Sequence, residues 1–437
     1  MKHRVGIRRE DKNKWEARVP ITPGGARELI ARHAIDFTIQ PSTIRIFDDD
    51  AYRAAGVTVD EDLARCQVVF AVKEIPTELL REGRTYIYFS HTIKGQGYNM
   101  DMLRRLMELK CTLIDYEPVV DADGRRLIFF GRHAGLAGMI DTLWTLGERL
   151  AWEGASPNPF DRAKQAYHYK DLDDVRGKFK DLGEAIRNDG LPDSACPMVF
   201  GFAGYGNVSL GAQEVLDLLP VIDVAPDDLA ALFDGGSFSR NHVYKTVFKE
   251  EHMAAPSQSG SDFELQDYYD HPENYNSIFD RYWPYLSVLV NCIYWTEKYP
   301  RLITRSEIAA HYAEGKPRLK VVGDISCDPL GSVEFLLKTT TTDNPVYVYD
   351  TERGQAVDGV AGKGPVMLGV DNLPCELPIE SSRHFSQSLL PFVDAIASAD
   401  YSKSFSELLL PDPIKKATIL HRGVLTPAFE YMEKFVA

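Results

Sequence analysis

The stretch that decides the fold runs from Val199 to Val224 and reads VFGFAGYGNVSLGAQEVLDLLPVIDV. An apolar run typical of a buried strand leads into a glycine-rich turn, and a run with helical spacing and a second short strand follow. Gly204 and Gly206 form a G-x-G pair, and Ser209 stands where the third glycine of G-x-G-x-x-G is expected. Gly211 comes two residues later. Such a turn either cradles a dinucleotide pyrophosphate at a helix N-terminus or is only a tight strand-to-helix corner.

The acidic residue that would bind the adenosine ribose is ambiguous in this sequence. It usually lies about twenty positions beyond the glycine turn. Asp223 lies within the second predicted strand, Ala225 follows it, and Asp227 lies just beyond. The stretch alone therefore leaves the cofactor site and the structural corner both open.

The rest of the chain alternates strand-like and helix-like segments. RVGIRRE, DFTIQP, QVVFAVKEIP, TYIYFSH and CTLIDYE are typical of strands, and GGARELIARH and MDMLRRLMELK of helices. This alternation predicts an α/β protein with two domains and mainly parallel sheets. HAGLAGMIDTLWTLGERLAWEG is predicted as a long buried connecting helix. Residues 156–193 are expected to form a surface insertion or linker, and residues 234–274 surface loops, because both are polar.

Composition excludes several classes of protein. The 437 residues carry a formal net charge of −15, whereas a nucleic-acid surface needs a basic footprint. The six cysteines are scattered without the spacing of zinc ligands, so we expect no metal site. No apolar run reaches the roughly 18 residues of a membrane span, and the N-terminal segment is charged. We therefore expect a cytoplasmic protein that does not bind membranes.

Charged side chains gather where the predicted strands of the first domain end. They are Arg18, Lys73, Glu74, His91, Lys94 and Glu117. Each one alone is typical of a solvated or structural residue. Because the carboxyl ends of parallel strands meet at one edge of a sheet, we expect the set to converge on one cleft. Neighbouring cations lower each other's pKa, so a lysine there could serve as a neutral base acting on an anionic substrate.

Several motifs make the chain resemble the lysine–2-oxoglutarate reductase (saccharopine-forming) family, the N-terminal half of bifunctional aminoadipate semialdehyde synthase. They are RREDKNKWEARVPITP, KEIP, FSHTIKGQ, LIDYE, GRHAGLAGMID, GYGNVSLGAQE, DHPENY, NCIYWTEKYPRLITR and DNLPCELPIE. More distantly, the chain resembles the lysine-forming saccharopine dehydrogenases and the alanine dehydrogenase/transhydrogenase superfamily. The resemblance implies two Rossmann-like domains with an interdomain cleft. It places a substrate-side domain at 1–133, completed by 376–437, and a dinucleotide-binding domain at 134–375.

The resemblance also implies the roles of individual residues. Lys73 and His91 would be the acid–base pair, and Arg18 would hold a substrate carboxylate. Glu74, Lys94 and Glu117 would tune charge, and Phe130 and Gly131 would line the substrate side. The cofactor-binding set would be Gly204, Tyr205, Gly206, Asn207, Val208, Asp223, Ala225, Asp324, Asp371 and Asn372.

The reaction that the resemblance implies joins the ε-amine of lysine to the ketone of 2-oxoglutarate and reduces the resulting imine to saccharopine. Ala225 stands where relatives tend to carry an acid, which favours NADP(H) and leaves NAD(H) open. A homo-oligomer is compatible with the resemblance. Two alternatives stay open, namely a related amino-acid dehydrogenase with another amine or keto acid, and a catalytically silent cofactor-binding regulator.

Overall fold

The computed structural model describes residues 3–235, 237–315 and 317–436. The chain divides into two compact units, one of residues 1–130 and 378–437 and the other of residues 131–377. The first is called unit 1 and the second unit 2. The predicted domain boundaries, 133/134 and 375/376, lie close to these division points.

The strands follow the chain in this order: β1 (His3–Ile7), β2 (Ile35–Ile39), β3 (Thr58–Val59), β4 (Val68–Phe70), β5 (Thr85–Tyr88), β6 (Thr112–Asp115), β7 (Val199–Ala203), β8 (Val221–Asp223), β9 (Val243–Phe248), β10 (Ala254–Pro256), β11 (Tyr275–Ser277), β12 (Val288–Asn291), β13 (Val321–Asp324), β14 (Val346–Asp350), β15 (Gln355–Asp358), β16 (Val366–Leu368), β17 (Thr418–His421) and β18 (Val424–Leu425).

The α-helices are α1 (Pro23–Arg32), α2 (Asp49–Ala54), α3 (Gly97–Glu108), α4 (Gly131–Trp152), α5 (Leu172–Asp189), α6 (Asn207–Leu216), α7 (Leu229–Asp234), α8 (Glu250–Met253), α9 (Leu265–Asp270), α10 (Arg305–Ala313), α11 (Pro378–Ser398), α12 (Asp412–Lys416) and α13 (Glu433–Val436). Among the described residues, no helix is both long and apolar enough to cross a bilayer.

Unit 1 is built on a sheet of order β18-β17-β6-β5-β4-β1-β2-β3. The strands from β6 to β3 pair in parallel, whereas β17 and β18 from the C-terminal segment are antiparallel. Strands β4, β5 and β6 are buried along their whole length, as expected for a parallel sheet covered on both faces. The C-terminal segment thus completes the sheet of the first unit.

Unit 2 carries a second sheet, of order β15-β14-β16-β13-β12-β7-β9-β8. Its strands from β16 to β8 pair in parallel, and β14 and β15 form an antiparallel edge. The predicted α/β fold, with two Rossmann-like domains and mainly parallel sheets, is therefore confirmed.

Two glycines let helices α4 and α6 pack backbone to backbone. A Cβ added at Gly135 of α4 would lie 1.9 Å from the carbonyl oxygen of Val208, and one added at Gly211 of α6 would lie 2.1 Å from that of Arg132. Neither position has room for a side chain. Gly211 is thus explained by helix packing, which fixes where α6 begins relative to the sheet.

Two predictions about polar segments were wrong. Residues 156–193 are not a surface insertion, because α5 buries one apolar stripe, including Val175, Phe179 and Leu182, in the core of unit 2. Residues 234–274 are not only loops, because they contain β9, a strand between β7 and β8. The polar residues of α5 lie on its exposed side, so average polarity concealed its periodic apolar positions. Strand β9 is a short and almost fully buried run inside a longer polar segment, so the polarity of its surroundings concealed it.

Candidate functional site

The carboxyl ends of β1, β4, β5 and β6 lie along one edge of the unit 1 sheet because these strands are parallel. Lys73 and Glu74 follow β4, and His91 follows β5. Both strands are short and fully buried, so the sheet fixes where the polar residues after them emerge. This edge is where ligands bind in α/β sheets.

His91 and Glu74 form a direct pair. The Nδ1 atom of His91 lies 2.7 Å from Oε1 of Glu74, and His91 has a left-handed backbone with φ 48°. Lys12 donates to Glu74 at 2.9 Å, and the side-chain amide of Asn99 donates to Glu74 at 3.2 Å and to the carbonyl oxygen of Ser90 at 2.9 Å. Burial alone would raise the pKa of Glu74, but His91 and Lys12 lower it below its ordinary value. Glu74 is therefore an ionised anchor for the imidazole.

Lys73 lies beside a buried carboxyl group. The backbone N–H groups of Val72 and Lys73 donate to the two oxygens of Glu10 at 2.6 and 3.0 Å. Burial, and then the charge of Glu16, raise the pKa of Glu10 to about 7. Burial, and then the positive charge of Arg18, lower the pKa of the Lys73 ammonium. The lysine is therefore easier to deprotonate than one in water.

Arg18 is buried and already engaged by a carboxylate of its own segment. Its Nε and Nη2 atoms donate to the two oxygens of Glu16 at 2.6 and 2.5 Å. Its guanidinium lies 4.3 Å from the ring centroid of Phe130, which stacks on Phe385 at 4.8 Å. A bidentate pair and an aromatic platform together fix the guanidinium in one orientation. Arg18 thus acts on Lys73 as a fixed positive charge.

Two other predicted members of the set lie apart from this cluster. Lys94 is exposed, and Glu117 faces Arg126 with 3.6 Å between Oε1 and Nη2. Within residues 3–235, 237–315 and 317–436, no hydrogen bond or ion pair joins either of them to Lys73 or His91. The carboxylate that β6 contributes to the edge is Asp115, which is buried and accepts hydrogen bonds from the backbone and hydroxyl of Ser90.

Sequence reasoning missed four members of the cluster, namely Glu10, Lys12, Glu16 and Asn99. Three of them lie in the same segment as Arg18, RREDKNKWEARVP, whose three acids separate its cations. That alternation of charge just after a strand was a usable signal. Asn99 gave no such signal, because it lies near the start of a predicted helix and reaches Glu74 only through the fold.

A cavity opens beside the cluster. Its volume is about 530 Å³, a size that holds a small metabolite, and Glu10, Asn13 and Lys14 are among its lining residues. Ser42 and Asp49 also line it. Charged groups of both signs thus face a space that accommodates a small charged molecule.

In unit 2, the glycine turn joins β7 to α6. Gly204 has φ +92°, and a Cβ there would lie 3.0 Å from Ile293 and near the backbone of Cys292. Gly206 is the N-cap of α6, and a Cβ there would meet no atom within 4 Å. The N-terminus of α6 therefore points its first backbone N–H groups at open space, as a pyrophosphate requires. The residues present fit a dinucleotide.

The neighbours of these glycines divide between the surface and the core. Tyr205 and Asn207 are exposed and Val208 is partly buried. Ser209 is fully buried and its hydroxyl accepts a hydrogen bond from Gln213 at 3.0 Å. The serine that replaces the third glycine is thus buried, whereas Tyr205 and Asn207 beside it are exposed.

At the end of β8, Asp223 is paired with a lysine. Lys245 of β9 contacts Asp217 at 2.8 Å and Asp223 at 3.2 Å. Burial alone would lower the pKa of Lys245, but the two aspartates raise it. Ala225 follows with no charge of its own. The carboxylate at the end of β8 is therefore partly neutralised.

The ends of β12 and β13 carry a buried polar pair. Asn291 donates to Asp324 at 3.0 Å, and burial raises the pKa of Asp324 to about 7. Asp371 is exposed, and Asn372 follows it with a left-handed backbone, φ 75°. Gly131 is the first residue of α4. These residues lie in unit 2 with the glycine turn, whereas Phe130 belongs to unit 1.

Comparison with known proteins identifies the family. The alanine dehydrogenase/PNT N-terminal domain model matches residues 6–137, and the C-terminal domain model matches residues 287–427. Together they cover more than half of the chain. A solved L-alanine dehydrogenase is similar with a TM-score of 0.62 and 17% identity, covering 99% of this chain and 100% of that one. This likeness concerns the fold.

The sequence relatives include longer proteins. The chain is 37% identical to alpha-aminoadipic semialdehyde synthase of Arabidopsis thaliana, over 98% of this chain and 41% of that protein. It is 35% identical to the mitochondrial enzyme of that name from Mus musculus, over 98% of this chain and 47% of that protein. It thus spans less than half the length of either relative.

A relative of similar length is the NAD(+), L-lysine-forming saccharopine dehydrogenase of Neurospora crassa, 27% identical over 88% of each chain. The resemblance predicted from the motifs is confirmed. The chain belongs to the alanine dehydrogenase/PNT family and is similar to the alpha-aminoadipic semialdehyde synthases.

Proposed function

We propose that this chain is an oxidoreductase that condenses L-lysine with 2-oxoglutarate and reduces the product to saccharopine with NAD(P)H. The observation that carries the proposal is the His91–Glu74 pair, with 2.7 Å between its atoms, beside a lysine of lowered pKa. The names of the relatives point to saccharopine and L-lysine, the resemblance implies 2-oxoglutarate, and the cluster supplies acid–base groups that such a condensation needs. The cytoplasmic location remains a prediction.

Lys73 is the proposed base. A condensation through the ε-amine of lysine begins with removal of a proton from an ammonium group, and a lysine of lowered pKa is available as a neutral base at a lower pH than a lysine in water. The charge of Arg18 keeps Lys73 in this state, and Glu16 keeps Arg18 in place. Glu10, with a pKa of about 7, changes its charge near neutral pH and can so modulate Lys73.

His91 is the proposed acid. Glu74 accepts a hydrogen bond from Nδ1, so Nε2 is the nitrogen that would deliver a proton to the oxygen that leaves as water. The carboxylate also fixes the orientation of the ring, as in other histidine–carboxylate pairs. Lys12 and Asn99 hold Glu74 from its other sides and so keep the ring in position.

The dinucleotide, when bound, supplies the hydride. Gly204, Gly206 and the N-terminus of α6 would hold its pyrophosphate, and this assignment rests on the open space at Gly206. We propose a preference for NADPH, because Ala225 brings no charge and Lys245 partly neutralises Asp223. A ratio of kcat/KM for NADPH over NADH above one is expected, and a ratio below one would contradict the preference.

The test of the function is a screen with both nicotinamide cofactors. The purified chain is given 2-oxoglutarate and one amine at a time, namely lysine, ornithine, alanine, glutamate or ammonium, and cofactor oxidation is recorded. Turnover with lysine that exceeds the others supports the proposal. Faster turnover with ammonium would identify a related amino-acid dehydrogenase, and no turnover with any amine would favour the non-catalytic alternative.

A further inference from the structure

Unit 1 has a second cavity. It lies where the parallel strands of the sheet begin, whereas the candidate site lies where they end. Its volume is about 370 Å³, a size that holds a small molecule. Strand β17 runs antiparallel to β6, so its last residue, His421, lies beside Thr112 at the first residue of β6. Lys73 and His91 follow the other ends of the parallel strands. The cavity is therefore separate from the acid–base cluster.

Three cations line this cavity in a protein whose net charge is −15. They are Lys110, Lys403 and Arg422. Arg422 donates through Nη1 to the carbonyl oxygen of Ser402 at 2.9 Å, which orients its guanidinium. In the part of the chain that the structure describes, no carboxylate lies within ion-pair distance of any of the three. Asp400 interacts with Lys403 beyond ion-pair distance, and the charge of the three cations remains available to an anion.

Two of these cations occupy backbone positions that favour glycine. Lys110 has φ 53° and Arg422 has φ 52°, both in the left-handed region. Arg422 and Gly423 form the two-residue turn between β17 and β18, where Asn-Gly is the usual sequence. A Cβ at Gly423 would lie 2.4 Å from the carbonyl oxygen of Met107, so the turn is seated tightly on the loop that carries Lys110. Long basic side chains are held where the backbone alone would favour small residues.

Part of the remaining wall is apolar, and Ser404, His421 and Thr426 contribute polar groups. Phe405, Leu425 and Pro427 line it, and Val424 is 67% exposed. The ring centroids of Phe405 and His421 lie 5.9 Å apart. The Nζ atom of Lys415 lies 5.5 Å from the ring centroid of Phe405. An apolar wall with a ring face, next to unpaired cations, matches a ligand that has both an anionic group and a flat apolar body.

We propose that this cavity is a binding site for a small organic anion with an aromatic or similarly flat body, with its phosphate or carboxylate group held by Lys110, Lys403 and Arg422. This proposal does not depend on the reaction proposed above, because none of these residues belongs to the candidate active site.

Calorimetric titration of the full chain with phenyl phosphate, benzoate, inorganic phosphate and phenol tests it. Phenyl phosphate or benzoate should bind at least about 10-fold more tightly than inorganic phosphate or phenol, because only they offer both parts. Which of the two binds more tightly identifies the anionic group. No binding of either, or equal binding of inorganic phosphate, would overturn the proposal.

Arg422→Gly and Lys110→Gly locate the site, because glycine suits both backbones and each variant should fold as well as the parent. Each should weaken binding of the favoured probe by about 10-fold, the effect of losing one charge-assisted contact. Lys416→Gly removes the same charge from an exposed residue outside the cavity and should leave the affinity unchanged. Unchanged affinity in both cavity variants, or equal losses in all three, would overturn the assignment.

Discussion

Replacing Gly206 by valine should abolish tight cofactor binding and leave the fold intact. Gly206 has φ −79° and ψ −170°, an extended backbone that valine adopts, and a Cβ there meets no atom within 4 Å. Loss of glycine at an N-cap costs up to about 1 kcal/mol of folding stability. A side chain in the open space would displace a phosphate from the backbone N–H groups, and one charge-assisted hydrogen bond is worth about 1.5–3 kcal/mol. The expected loss of affinity is therefore about 10- to 150-fold.

Gly211→Ala is the matched control, because it should lower folding stability instead of blocking the space for the cofactor. Its Cβ would lie 2.1 Å from the carbonyl oxygen of Arg132, so α4 and α6 must move apart, at a cost of about 1–3 kcal/mol for overpacking. Calorimetric titration with NADPH and NADH, together with thermal unfolding, separates the two effects. Unchanged cofactor affinity in a folded Gly206→Val variant would refute the reasoning and leave the turn as a structural corner.

Three further predictions concern the titratable groups. Lys73→Met and His91→Gln should each lower kcat by about 10²- to 10⁴-fold with little change in thermal stability, and near-normal kcat in both would remove them from the mechanism. Arg18→Gln should shift the pH–rate profile to higher pH because the pKa of Lys73 rises. Arg18→Lys should largely restore the profile of the parent. An unchanged profile with a raised KM for 2-oxoglutarate would instead make Arg18 a carboxylate ligand. Burial raises the pKa of Asp324 from 3.8 to about 7, so folding stability should fall as pH rises from about 4 to about 7. Chemical denaturation across that range measures the free energy of unfolding against pH, and its slope should be flatter in Asp324→Asn than in the parent. Equal slopes would contradict the prediction.

The fold was predictable because its strongest signals are local. The strands β4, β5 and β7 are short apolar runs bounded by glycine, proline or charge, and the glycine turn marks a strand-to-helix junction. The prediction for the segment that contains β9 was wrong for a physical reason. Its sequence, VYKTVF, is short and contains the polar residues Lys245 and Thr246, and only its pairing with β7 and β8 makes it a buried strand of the sheet.

The candidate site was predictable only in part. Lys73, Glu74 and His91 could be placed because each directly follows a strand. The partners that set their charge could not, because Glu10 and Glu16 reach the cluster through irregular backbone whose path depends on the folded sheet. The bidentate contact between Glu16 and Arg18 depends on side-chain geometry and has no periodic signature.

The most direct test of the central claim is to identify the product. The chain is incubated with lysine labelled with ¹⁵N at the ε position, NADPH, and either 2-oxoglutarate or pyruvate, and the products are resolved by mass spectrometry. The account predicts saccharopine that retains the label, formed in step with NADPH oxidation, and much slower turnover with pyruvate, which lacks the distal carboxylate. Equal use of pyruvate and 2-oxoglutarate, or NADPH oxidation without a labelled condensation product, would contradict it.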